Sequence, residues 1–217
     1  MLKYDMFYQN FHLSGVKMVV NNITRGISVK LIRGKNMEKE TYAGYDRDLL
    51  IATHEAGHAV ICHVLGYDFE AVSIEKDEVN GADGYFRRSI ITTAQECGRL
   101  DKQGQSYWTC DQIKITLSGG LAVYRLTNDV QTVGMMPDID SARKLELMVV
   151  QNDEDKAKEL DKALGSLTKG LISDERNWSA IVTLSNELIK RRKFTYTKAV
   201  KIIEKTFADY DAGKITS

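Results

Sequence analysis

Residues 52–60 read Ala-Thr-His-Glu-Ala-Gly-His-Ala-Val, ATHEAGHAV, and hold two of the chain's four histidines, four residues apart, with a glutamate beside the first. The surrounding pattern is helical. Ile51, His54, His58, Ile61 and Leu65 recur at steps of three or four, which lays them along one face of a helix that begins near Asp46 and ends near Gly66. Both histidines therefore share the apolar stripe and face inward. Ala52, Ala56 and Ala59 form a second stripe of small residues, and Gly57 removes a side chain beside His58, so a neighbouring helix can approach closely there. The segment IKITLSGGLAV, residues 113–123, is the candidate neighbour. Its Gly119 and Gly120 would each weaken a helix by roughly 1 kcal/mol, and close approach gives them a reason. Between these helices, AVSIE and GYFRRSII carry β-branched and aromatic residues on either side of the turn-rich KDEVNGADG, and they read as a small antiparallel strand pair.

At 217 residues, 43% of them apolar, the chain is long enough for one sizeable core. Thirty Lys and Arg balance thirty Asp and Glu, so net charge calls for neither nucleic acid nor an anionic membrane. No apolar run reaches the roughly 18–20 residues of a bilayer span, and the N-terminal MLKYDMFYQNF lacks the basic-then-apolar order of a secretory signal. Cys62, Cys97 and Cys110 form no C-x-x-C pair and leave an odd thiol, which suits a reducing compartment. A cytoplasmic location is the expectation. Composition shifts once, near Met37. Residues 1–36 carry six Lys or Arg against Asp5 alone, so they form a basic extension of +5 ahead of a main domain, 37–217, of −5. Within the extension, VKMVV and ISVKLI flank NNITRG, and hairpin and flexible arm are equally open readings, as is a functional start at Met37. No repeat or low-complexity tract occurs.

The H-E-x-x-H spacing of residues 54–58 has a geometric meaning. Residues four apart on a helix lie one turn above one another, so two imidazoles can bind one Zn²⁺ while the glutamate between them reaches the metal's water. Zinc acidifies that water, and the glutamate takes its proton as oxygen attacks a carbonyl. The alternative is a pair of structural histidines, but two imidazoles and a carboxylate on an apolar stripe are costly to bury without a shared partner.

A catalytic zinc needs a third protein ligand and leaves the fourth position to water. His63 is nine residues from His54, about 180° around the same helix, and cannot join that metal. The metzincin extension would need glycine at 61 and histidine at 64, where the chain has Ile61 and Val64. Glu75 and Glu78 fall in the strand and turn region and are weak candidates. In GMMPDIDSARKLELMVV, residues 134–150, Pro137 announces a helix start. Asp138 continues into the apolar stripe Ala142, Leu145 and Val149, whereas Asp140 aligns with Arg143 and Lys144 on an outer face. Spacing leaves two roles for Asp138, helix N-cap and metal ligand.

In order and spacing, HEAGHAV, VSI, GYF, LSGGLAV and PDIDSARKL resemble the peptidase domain of the FtsH family of ATP-dependent zinc proteases. The resemblance covers roughly residues 46–150 and implies a mainly helical α+β, zincin-like architecture with a small antiparallel strand pair. It implies Zn²⁺ as cofactor, His54, His58 and Asp138 as its ligands, with Asp138 in a D-I-x-x-A pattern, and Glu55 as the catalytic base. The segment 178–207 is similar to that family's closing helix pair, with Thr195 or Thr197 near the start of the second helix.

The chain departs from the family in having no G-x-x-x-x-G-K-[ST] phosphate loop and no anchor, and in carrying Leu121, Ala122, Val123 and Tyr124 after its glycine pair where the family has an arginine and acids. The expected activity is that of a stand-alone metalloendopeptidase acting on peptides or unfolded protein, with a separate partner to deliver substrate and an oligomer both compatible with it. Two alternatives stand beside it: a non-catalytic, regulatory zinc-fold protein, and a repressor-cleaving metallopeptidase with a glutamate third ligand. KRRK, residues 190–193, reads as a solvated helix end, residues 151–164 as an exposed helix with an acidic first turn, and Trp108 and Trp178 as packing anchors.

Overall fold

The computed structural model describes residues 41–42, 45–77, 81–88, 100–129 and 135–215. The extension read over 1–36, the start at Met37, Glu78 and Cys97 lie outside the described residues. What is described is mainly helical with small antiparallel sheets, an α+β arrangement, and no helix in it is long and apolar enough to cross a membrane.

Strands β1, Thr41–Tyr42, and β2, Tyr45–Asp46, pair as a short antiparallel ladder. Helix α1, Arg47–Val64, follows directly because the Asp46 carboxylate accepts the Asp48 N–H at 3.0 Å and caps it. It stops where expected: the Leu65 N–H closes onto the Ile61 carbonyl, and Gly66, at φ +82°, turns the chain out in a conformation that costs glycine least. Ala52, Ala56, Ala59 and Ile61 along α1 have no exposure at all.

Helix α2, Lys102–Thr127, packs on that small-residue stripe. A Cβ on Gly57 would stand 2.8 Å from the Ala122 Cβ and the Ser118 carbonyl oxygen and 3.2 Å from the Gly119 Cα, so α2 comes this close only because position 57 is bare. The neighbour expected from the sequence is the observed one. Gly120 serves a different purpose, since a Cβ there would collide with the Met135 side chain. On the other side of α2 lie α3, Met136–Val149, and α4, Glu154–Ser173, around a minor core of Ile113, Ala142 and Leu164. The acidic start of α4 is solvated as expected, but Ala157, Leu164, Thr168 and Ile172 bury its other face.

Helices α5, Glu175–Arg191, and α6, Tyr196–Asp211, pack on each other, and α5 also packs on α1. Asp174 joins α4 to α5: its N–H bonds the Gly170 carbonyl, and its carboxylate accepts the Asn177 N–H at 2.9 Å. Arg125, at the end of α2, lies 4.5 Å over the Trp178 ring and donates to the Ile172 carbonyl at 2.6 Å, so Trp178 is a packing anchor as read. The main core contains Ile61, Ile115, Ile181, Leu184, Leu188 and Ile203, each at most 1% exposed. Burial of each contributes about 1.5–3 kcal/mol.

The expected strand pair is present and a third strand joins it. Strand β3, Ala71–Ser73, pairs antiparallel with β4, Tyr85–Arg87, with Val72 opposite Phe86. On its other side β3 pairs antiparallel with β5, Lys193–Thr195, with Val72 opposite Phe194. KRRK is therefore more than a solvated helix end. Arg192, at φ +66°, breaks α5; its carbonyl accepts the Ile74 N–H at 2.8 Å, and its guanidinium bonds Asp48 and the Ile74 carbonyl. Thr195 then precedes α6 as its N-cap.

Candidate metal centre

His54 and His58 stand one turn apart on α1, and the first turn of α3 brings Asp138 to them. His58 is buried, and its Nδ1 lies 2.7 Å from the Ile115 carbonyl of α2. A carbonyl only accepts, so Nδ1 carries a proton and Nε2 is the nitrogen turned inward. That Nε2 is 3.0 Å from His54 Nε2 and 3.2 Å from Asp138 Oδ2, while His54 Nε2 is 2.9 Å from the same oxygen. Three potential ligand atoms thus meet in a nearly equilateral triangle.

With both imidazoles neutral such a cluster repels itself unless a cation sits among its members; with one of them protonated it closes as a hydrogen-bonded ion pair. Two donors held at 2.0–2.1 Å by one tetrahedral ion stand about 3.3 Å apart, close to the spacing found. The donor set of two imidazoles and one carboxylate therefore fits a divalent metal, and His54, His58 and Asp138 could hold one together. Gly119 makes the room. A Cβ on it would stand 2.7 Å from His58 Cε1 and 2.9 Å from His54 Cδ2, inside both rings' contact distance. Phe86 lies along the other side of His58, ring centroids 5.7 Å apart.

Asp138 points inward, as its place on the apolar stripe suggested, and does not serve as the side-chain cap of its helix. Met135 occupies the N-cap with no side-chain bond to the helix, Pro137 fills the first turn, and the Asp138 oxygen faces the imidazoles. Burial would raise its pKa, but the charge and hydrogen bonds of His58 and His54 outweigh burial and hold it below the usual carboxylate range. Asp140 is exposed on the outer face as expected, although Arg143 bonds Glu146 and Glu154 rather than Asp140.

Glu55 is 8% exposed and lines the same cleft, of about 220 Å³, with Tyr85, Phe86, Arg88 and Thr116. Gly84 leaves space for its carboxylate: a Cβ there would stand 3.1 Å from Glu55 Oε1. Burial pushes the Glu55 carboxyl up to about 7, opposed by His54 and assisted by the charge of Asp138. A carboxyl poised near neutrality can take a proton and return it within one cycle.

Other residues weighed from the sequence stand apart. His63 bonds Glu204 and stacks on Phe207 at 6.3 Å, a packed histidine as read. Glu75 is exposed and has no part in the cluster. Sequence reasoning missed Arg88 and Gln112. Arg88 lies inside GYFRRSII, where β-branched and aromatic content suggested only a strand, and its Nη1 donates to the buried Gln112 Oε1 of α2. A scan against protein-family models finds no match to the chain, and a search of curated proteins finds none.

Proposed function

We propose that the chain is a zinc-dependent metalloendopeptidase with a zincin-like, FtsH-type peptidase architecture, working in the cytoplasm. The observation that carries this reading is the convergence of His54 Nε2, His58 Nε2 and Asp138 Oδ2 within 3.2 Å of one another beside the buried Glu55. Bound Zn²⁺ would act as a Lewis acid on water and on the substrate's carbonyl oxygen. His54, His58 and Asp138 hold the ion, and the Ile115 carbonyl fixes the orientation of His58. Glu55 accepts the proton of the attacking water and delivers it to the amide nitrogen as the peptide bond breaks, so one carboxyl serves as base and then acid. Tyr85 and Phe86 of β4, an edge of its sheet among the described residues, border the cleft, which suits an extended segment of peptide or unfolded protein. A separate partner would deliver substrate that is folded.

The non-catalytic reading is weaker, because holding Glu55 buried with its pKa raised costs stability that a purely structural site has no reason to bear. Glu55→Gln tests the assignment. The variant should keep about one zinc per chain by elemental analysis and lose cleavage of unfolded casein or of a peptide library. Undiminished turnover with zinc retained would refute Glu55 as the base.

A further inference from the structure

Arg88 follows β4 and lines the metal cleft together with Glu55 and Asp138. Its Nη1 is anchored to Gln112 Oε1, a neutral acceptor that is itself 3% exposed and held on the helix that carries Gly119. One anchored nitrogen leaves most of the five guanidinium donors for other partners. Among the described residues no carboxylate forms an ion pair with Arg88. Burial lowers its pKa, with Cys62 and Asp138 acting the other way, yet a guanidinium stays charged near neutrality. A partly desolvated cation that forms no ion pair among the described residues is stabilised by a carboxylate that enters the cleft.

The rim next to it has the same sign. Arg87 and Lys193 lie over the Tyr85 ring, 4.8 and 5.5 Å from its centroid. Of the acids nearby, Asp83 is paired with Arg47, Asp138 faces the histidines, and Glu75 acts on Lys193. Arg87, Arg88 and Lys193 therefore set cationic groups along β4 and its sheet, beside the acids Glu55 and Asp138 that lie deeper in the cleft.

We propose that Arg88 is a specificity residue that binds a substrate carboxylate, the side chain of an aspartate or glutamate beside the scissile bond, and so directs the site to acidic segments. This rests on the peptidase reading. Bidentate geometry distinguishes arginine from a general positive charge, so lysine at this position should recover only part of the selectivity.

The test uses paired peptides that differ only by Glu or Gln next to the cleaved bond, with the zinc-loaded chain, Arg88→Gln and Arg88→Lys, each checked for an unchanged melting temperature. Wild type should show kcat/KM about tenfold or more in favour of Glu, the factor expected of one charge-assisted hydrogen bond. Arg88→Gln should bring that ratio near one while leaving the Gln peptide's kcat intact, and Arg88→Lys should fall between. Absence of a preference in wild type, or an equal loss of kcat on both peptides in Arg88→Gln, overturns the proposal; the second outcome would place Arg88 on the reacting carbonyl instead. Fluorescence anisotropy on zinc-loaded Glu55→Gln, with and without Arg88→Gln, reads the same ratio without turnover. If no peptide is cut but Glu peptides bind in an Arg88-dependent way, the peptidase reading falls and the carboxylate site stands. If peptides are cut without regard to Glu, the reverse holds.

Discussion

Replacing Gly119 by alanine probes how tightly the centre is built. The new methyl would stand 2.7 Å from His58 Cε1 and 2.9 Å from His54 Cδ2, and closer still to His58 Nε2. Carbon contacts relax at about 3.5–4.0 Å, so roughly 1 Å must be found. The helices cannot supply it cheaply, because Gly57 already brings α1 against the backbone of α2. The His58 ring cannot supply it alone, because Ile115 of the same α2 holds its Nδ1 at 2.7 Å. Metal bonds tolerate displacements of only about 0.2 Å, so at least one donor leaves the triangle. Overpacking costs about 1–3 kcal/mol, and alanine returns about 1 kcal/mol of helix propensity, leaving a net loss of about 0–2 kcal/mol. At about 2–4 °C per kcal/mol the melting temperature falls by no more than about 8 °C, so the variant folds. Its zinc affinity, read by competition with a chromophoric chelator, should drop at least about 10–100-fold. Gly165→Ala on α4 is the control, since nothing lies within 4 Å of the added carbon; it should leave affinity unchanged and raise the melting temperature slightly. Zinc bound by Gly119→Ala as tightly as by wild type would refute the packing argument.

Asp138→Ala should lose zinc in an elemental assay while Asp140→Ala keeps it, and the opposite result would reassign the third ligand. A pH effect is expected at Glu146 of α3, which is fully buried; burial and the charge of Asp161 push its carboxyl up, against the pull of Arg143. Because the native state favours the protonated form, its stabilising contribution is complete below the ordinary carboxyl value of 4.5 and is lost as pH rises towards the raised native pKa. Glu146→Gln stays neutral, so its melting temperature relative to wild type should climb between pH 5 and pH 8.5, and a pH-independent difference would contradict the assignment.

Helix α1 was legible because its cap, its apolar stripe and its terminal glycine agree on one element, Asp46 to Gly66. Asp138 was legible only as a choice between an N-cap and an inward ligand, and where its carboxylate lies depends on how α3 packs, which brings it to the histidines. Strand β5 was not legible. Three residues are too few to show alternation, and they are held by pairing with residues 71–73, far away in sequence. Arg88 escaped for a related reason, because a charge in a strand reads as solvent-facing until a partner such as Gln112 appears across the fold.

The pairing of Ala71–Ser73 with Lys193–Thr195 also has a consequence in time. Closing so wide a loop is entropically slow, and on a ribosome it must wait until the C-terminal strand has emerged. A nascent chain that already displays both histidines still lacks Asp138, and later still the sheet's far edge. On the proposed peptidase reading, the site would stay incomplete, and the chain idle, while its own N-terminal part is the nearest unfolded polypeptide.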